Sequence, residues 1–150
     1  MKRLKLLFFS LSPFVIGYLL NYAMIKYDWY GTIISIIGIL FCTYWFFLGY
    51  KSYDYVKTTR ESILLGNCFA IISMILIIFQ VVFMGQFMLN VVGSAPQMFY
   101  LPIIRVSSWL EENLLFFISI HDMVFTFIVS FVLMIGIYYT GYSMRLKKKG

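Results

Sequence analysis

The sequence predicts an all-α integral membrane protein with four transmembrane helices. The 150-residue chain is 62% hydrophobic and only 12% charged, whereas a soluble domain carries about 25% charged residues. Its apolar stretches reach the length of about 20 helical residues that a bilayer core requires. Its basic residues are concentrated at the borders of these stretches. We therefore expect residues 1–150 to form one four-helix transmembrane domain.

The distribution of basic residues predicts the orientation of the chain. Of 12 Lys and Arg residues, all but Lys26 and Arg105 fall at the start, in a middle loop or in the tail. These are Lys2, Arg3, Lys5, Lys51, Lys57, Arg60, Arg145, Lys147, Lys148 and Lys149. Because short loops rich in Lys and Arg stay in the cytoplasm, we expect a multi-pass protein of the cell (inner, cytoplasmic) membrane with both termini cytoplasmic.

The first, second and fourth spans are predicted at residues 6–25, 32–50 and 123–144. The first is too long for the apolar region of a signal peptide, and no small-residue cleavage site follows it. We therefore expect it to be a retained span, kinked at Pro13. Asp122 is expected to cap the N-terminus of the fourth span.

The third span is predicted at residues 60–89. Thr58 and Glu61 have the spacing of a capping box, which predicts a helix start near Thr59. At 1.5 Å per residue the apolar run would be about 42 Å long, more than the usual tilt of a span can bury. We therefore expect its last turns, at residues 85–90, to project beyond the membrane as helix.

An amphipathic helix is predicted at residues 102–117, lying along the extracytoplasmic membrane surface between spans three and four. Pro96 is expected to interrupt the preceding helix, and Pro102 suits a first helical position. Apolar residues then recur at three- and four-residue spacing. Trp109 is expected to anchor the helix at the interface.

Four residues of this surface helix are candidates for binding a partner protein: Arg105, Trp109, Glu111 and Glu112. The simplest interpretation is that the charged residues form a solvated face. A docking surface is the functional alternative, because an exposed Trp is a favoured anchor at protein interfaces.

Four residues of the second and third spans are candidates for helix pairing within the membrane: Ser35, Gly38, Asn67 and Gln80. Small residues let helices approach closely, and an amide in lipid requires a hydrogen-bond partner. The functional alternative is that these residues line a cavity for a small ligand, or a pore.

The sequence gives little support for catalysis or for a bound metal. It contains six carboxylates and one His, and Cys42 and Cys68 do not have the spacing of a metal site. We expect no catalytic residues, no cofactor and no metal. The apolar spans lack the central charges that mark ion-coupled transport, and no basic folded surface is available for nucleic acid.

We therefore expect a small bacterial membrane interaction protein, either an accessory subunit or an immunity-type factor that binds a larger membrane partner. Its partners would be the lipid bilayer and either that membrane protein or further copies of the chain. The bacterial assignment rests on a composition rich in Ile, Phe, Tyr and Lys. The alternative is a small oligomeric channel or transporter for an uncharged or small solute.

Overall fold

The computed structural model describes residues 2–27, 31–88, 90–114 and 123–149, and all regular structure in these ranges is α-helical. The helices are α1 (Lys2–Ser10), α2 (Ser12–Tyr27), α3 (Thr32–Ser52), α4 (Thr59–Gly66), α5 (Cys68–Met84), α6 (Val91–Leu114) and α7 (Met123–Lys149). The prediction of an all-helical chain is confirmed. Asp122, the predicted cap of the last helix, lies outside the described residues.

The described helices provide three or four candidate membrane spans. Arg3–Tyr27, Thr32–Ser52 and Met123–Lys148 are each long and apolar enough to cross a membrane. The pair α4 and α5 makes a fourth candidate if these two bent helices are counted as one span. The structure therefore supports a membrane protein, by the length and composition of its helices.

The first candidate span is broken at Leu11, between α1 and α2. Two residues further on, Pro13 lacks an N–H, and in a regular helix its ring would clash with the carbonyl of Phe9, four residues earlier. Hydroxyl groups near the break bond nearby carbonyl oxygens, from Ser10 to Leu7 and from Ser12 to Phe9, both at 2.7 Å. The packing partner changes at the break, because α1 packs on α4 whereas α2 packs on α6.

The prediction of one continuous helix over residues 60–89 is wrong. The axes of α4 and α5 differ by 55° at the break between them, where Asn67 lies. The helix starts at Thr59 as predicted, but α5 ends at Met84, because Gly85 adopts a left-handed conformation with φ of 65°. The expected helical extension over residues 85–90 is therefore absent: residues 85–88 and 90 are not helical.

The predicted start of the amphipathic helix, at Pro102, is also wrong, and its location at the outer membrane surface stays a prediction. Helix α6 begins at Val91, includes Pro96 and Pro102, and packs against α2, α3, α5 and α7. Phe99, Tyr100 and Ile103 are completely buried. Residues 115–117 of the predicted helix lie outside the described part of the chain.

Two glycines allow α6 to enter the bundle. A Cβ on Gly17 of α2 would overlap the carbonyl oxygen of Met98, so these two backbones are in direct contact. A Cβ on Gly38 of α3 would lie 2.7 Å from Val106 Cγ2. Because glycines let helices approach this closely, α6 packs in a position that its own polar content does not predict.

Contacts along α6 join it to three neighbouring helices, α5, α3 and α7. In chain order they are Gly93 with Gln80, Tyr100 with Ala70, Val106 with Gly38, Ser107 with Ser130, and Glu111 with Thr126. The first and last of these contacts lie towards the end of the bundle where α5 ends and α7 begins.

The three basic clusters meet at the other end of the bundle, which we call the basic end. Arg3 pairs with Glu61 at 2.7 Å, and Arg145 pairs with Asp54 at 3.4 Å. These contacts bring the first helix, the loop between α3 and α4, and the C-terminal part of α7 together. The opposite end, where α3 begins, is the Gly31 end.

Candidate functional site: a groove between α3 and α6

A groove of about 430 Å³ lies between α3 and α6, towards the Gly31 end of the bundle. Its lining residues are Ser35, Ile39, Arg105, Val106 and Trp109. We call it the α3–α6 groove. It brings together residues that the sequence predicted separately, as helix-pairing and partner-binding positions.

Helical periodicity explains why these residues share one groove. Ser35 and Ile39 are four residues apart on α3, as are Arg105 and Trp109 on α6, so each pair lies on one helix face. Gly38 and Val106 set the approach of the two helices beside the groove. Ile39 and Val106 provide apolar surface within it.

The polar groups of the groove are hydrogen-bond donors, which suits binding of a partner that carries a hydrogen-bond acceptor. Ser35 donates its hydroxyl to the Gly31 carbonyl oxygen at 3.1 Å. Arg105 is exposed, and no carboxylate among the described residues lies within ion-pairing distance of its guanidinium. Trp109 has 60% of its surface exposed. The groove therefore combines an apolar lining with a cation and an exposed indole.

The two acidic residues predicted to bind a partner do not line the groove. Glu111 is buried, with 9% exposure, and accepts a hydrogen bond from the Thr126 hydroxyl at 2.8 Å. Glu112 is exposed on α6. Arg105 and Trp109 share one surface, while Glu111 contributes to the contact between α6 and α7.

The predicted helix-pairing residues have different surroundings. Gly38 contacts α6, and Ser35 lines the groove. Gln80 bonds the Gly93 carbonyl oxygen at the start of α6. Asn67 lies at the break between α4 and α5, where its Nδ2 donates to the Ile63 carbonyl oxygen at 3.1 Å. Two of the four therefore contact α6 directly.

A buried polar cluster near the basic end was not found by sequence analysis. Ser52 and Ser62 hydroxyls are 2.8 Å apart, and the Tyr138 hydroxyl lies 3.3 Å from Ser62. Elsewhere among the described residues, five buried side-chain atoms have no hydrogen-bond partner: Trp45 Nε1, Asn67 Oδ1, Ser73 Oγ, Gln97 Nε2 and Arg145 Nε. Small hydroxyl residues separated along the chain give no local signal that they will converge.

Within the described residues, no three His, Cys, Asp or Glu side chains are close enough together to hold a metal ion. Cys42 and Cys68 are both free thiols, and Cys68 Sγ lies 3.8 Å from the Ser10 hydroxyl oxygen. Comparison of the chain with protein-family models, with curated proteins and with solved structures finds no match. The case for a function therefore rests on the geometry of the chain itself.

Proposed function

We propose that this chain is a bacterial membrane interaction protein, an accessory subunit or an immunity-type factor, that binds a larger membrane partner at the α3–α6 groove. The observation that carries the proposal is that the exposed Trp109 and Arg105 line the same groove beside apolar residues. An aromatic residue and an arginine around an apolar centre are the features of binding hot spots.

The proposed orientation has both termini in the cytoplasm, with the groove in the extracytoplasmic half of the inner membrane. It is supported by the convergence of three basic clusters at one end, as in the contacts Arg3–Glu61 and Arg145–Asp54. The positive-inside rule places such an end in the cytoplasm. The Gly31 end would then face outward.

The proposed occupant of the groove is a transmembrane helix of the partner. Small residues on that helix would pack against Ile39 and Val106, because close approach is what drives helix association in lipid. A carboxylate near its outer end would pair with Arg105. Arg105 has no ion-pair partner among the described residues, and it would gain a charge-assisted hydrogen bond from such a carboxylate.

The test is affinity purification of the tagged chain from native membranes in mild detergent, with mass spectrometry of what remains bound. The groove variants are Trp109→Ala and Arg105→Gln. The matched controls are Phe83→Ala, an apolar side chain with 75% exposure on α5, and Lys148→Gln, an exposed basic residue at the basic end.

We expect the wild type and both controls to retain a stoichiometric membrane protein. Trp109→Ala should weaken its retention by about 30-fold, since truncation of a hot-spot residue costs about 2 kcal/mol or more. Equal retention by Trp109→Ala and Phe83→Ala would place the interface elsewhere.

The accessory-subunit and immunity forms of the proposal differ in the growth conditions under which the cell needs this chain. An accessory subunit predicts that deletion of the chain impairs its partner under ordinary growth. An immunity-type factor predicts that the deletion strain grows poorly only when a specific toxin is present. The Trp109→Ala strain should then be as sensitive to that toxin as the deletion strain. Growth of the deletion strain with and without the toxin-producing competitor separates them.

A small oligomeric channel or transporter is the second candidate, favoured by one specific observation. Trp45 Nε1, Asn67 Oδ1 and Ser73 Oγ are buried polar atoms without a protein partner among the described residues. Such atoms usually bond ordered water, and a hydrated interior is a requirement for solute passage. Solute flux in liposomes of the pure protein tests this candidate, and the interaction proposal predicts no flux above that of empty vesicles.

A further inference from the structure

Two adjoining clefts lie between α1 and the end of α3, at the basic end of the bundle. The first, of about 470 Å³, is lined by Leu4, Lys5, Phe8, Phe9 and Tyr55. The second, of about 170 Å³, adjoins it at Phe9 and Tyr55 and extends to Phe47 and Lys51. We call them together the α1–α3 cleft.

The break at Leu11 explains why this cleft is open. Because α1 packs on α4 after the break separates it from α2, α1 does not pack closely against α3. Just beyond the break, the Ser12 hydroxyl lies 2.8 Å from the Tyr44 hydroxyl and joins α2 to α3. The cleft is therefore bounded on the side of this contact.

The lining of the cleft is apolar with two cations. Phe8 and Phe47 are 74% and 55% exposed. Lys5 and Lys51 lie at the margins, on α1 and α3 respectively. None of the described residues that line the cleft is acidic.

Two neighbouring arginines form ion pairs, whereas Lys5 and Lys51 form none with the described residues. Glu61 pairs with Arg3, and Asp54 pairs with Arg145. Within the described ranges, no carboxylate lies within ion-pairing distance of Lys5 or Lys51. Among the described residues, the cleft thus combines two lysines that form no ion pair with exposed aromatic side chains.

We propose that the α1–α3 cleft binds one anionic phospholipid of the leaflet at the basic end. Lys5 and Lys51 hold the phosphate of the headgroup, and Tyr55, which lines both parts of the cleft, supplies a hydroxyl donor. An acyl chain lies along Phe8, Phe9 and Phe47. A free anion would not use this apolar surface, whereas a lipid matches both parts of the site. The proposal is independent of the α3–α6 groove.

The test is titration of the purified full-length chain, in neutral detergent, with phosphatidylglycerol or phosphatidylcholine, counting bound lipids by native mass spectrometry. The cleft variant is Lys5→Gln with Lys51→Gln. The matched control is Lys57→Gln with Lys148→Gln, which removes the same charge from exposed positions outside the cleft. Circular dichroism melts confirm that all variants are folded.

We expect one tightly bound phosphatidylglycerol on the wild type and on the control, and weaker binding of phosphatidylcholine. The cleft variant should bind phosphatidylglycerol about 30-fold more weakly, which is about 2 kcal/mol at 1.4 kcal/mol per factor of ten. Equal losses in the two double variants would mean diffuse electrostatic attraction and would overturn the site. Equal affinity for both lipids would overturn it as well.

A photoactivatable phosphatidylglycerol provides a second measurement that does not depend on removing charge. Crosslinks to the wild type are expected in the segments that contain Phe8 and Phe47. Crosslinks spread evenly over the exposed surfaces of the other helices would contradict a defined site.

Discussion

The side chain of Gln80 donates from Nε2 to the carbonyl oxygen of Gly93 at 2.8 Å, and this bond joins the end of α5 to the start of α6. Gln80 has only 4% of its surface exposed. Its Oε1 also accepts from the backbone N–H of Met88 at 3.4 Å, in the segment between the two helices. One amide thus fixes both the turn after α5 and the point where α6 enters the bundle.

Replacing Gln80 with Leu should lower the free energy of unfolding in micelles by about 0.6 kcal/mol, the average of intramembrane hydrogen bonds. The loss is small because the unfolded chain in the micelle also finds partners for its amides. Gln86→Leu is the matched control, since Gln86 is exposed beyond the end of α5. An unchanged or raised unfolding free energy for Gln80→Leu would mean that the bond to Gly93 contributes nothing.

Gly141 is expected to be intolerant of a methyl group, whereas Gly136 in the same helix is expected to accept one. A Cβ on Gly141 would overlap the carbonyl oxygen of Phe46, so α7 would have to move away from α3. A Cβ on Gly136 meets no atom within 4 Å. Gly141→Ala should cost about 1–3 kcal/mol, as overpacking does in other interiors.

Equilibrium unfolding of the two alanine variants in mixed micelles measures this difference. The free energy of unfolding of Gly136→Ala should lie no more than about 0.5 kcal/mol below that of the wild type, or above it, because alanine favours helix. A Gly141→Ala variant as stable as Gly136→Ala would show that α3 and α7 do not need this close contact.

The ion pair between Arg3 and Glu61 should make a small, salt-dependent contribution to stability. Its charged atoms are 2.7 Å apart, but the Arg3 side chain is 71% exposed. Exposed pairs contribute about 0.2–1 kcal/mol, and salt screens them. Glu61→Gln should therefore destabilise the attachment of α1 to α4 by this amount at low salt.

Thermal unfolding of Glu61→Gln and wild type, at low and at about 1 M salt, tests the origin of the effect. The difference between the two proteins should shrink at high salt. Glu112→Gln removes an exposed carboxylate from α6 and serves as the control. A difference that is independent of salt would indicate that Glu61 acts through its contact with the Thr58 hydroxyl instead.

The orientation proposed for the chain predicts which surface positions react with an impermeant thiol reagent applied outside the cell. In a background with Cys42→Ala and Cys68→Ala, Asn113→Cys should be labelled, because Asn113 is exposed near the end of α6. Lys148→Cys at the basic end should be labelled only after the membrane is permeabilised. The reverse pattern would invert the proposed topology.

The helical class and several helix boundaries follow from features that are local in the sequence. An apolar run specifies helix in lipid because its backbone groups must be satisfied internally. The predicted second span at residues 32–50 corresponds to Thr32–Ser52, and the predicted fourth span at residues 123–144 lies within the described helix Met123–Lys149. The break near Pro13 has an equally local cause.

The bend near Asn67 and the end of α5 at Gly85 were not predicted, because apolar composition continues through both positions. Hydropathy measures preference for lipid and carries no information on helix direction. The continuous apolar run therefore predicts one long span where the structure has two helices and a following turn. The 55° bend between α4 and α5, and the end of α5 at Met84, are seen only in the tertiary structure.

What the sequence determined by itself is the class of the protein and the separation of its basic clusters from its apolar helices. The tertiary structure decided the position of α6, because that position depends on Gly17 and Gly38, which are far from it in the chain. It also decided how the polar groups of α6 are satisfied, through pairs such as Tyr100 with Ala70 and Ser107 with Ser130. A helix too polar to span alone is stable inside the bundle because its neighbours supply close contact and hydrogen bonds.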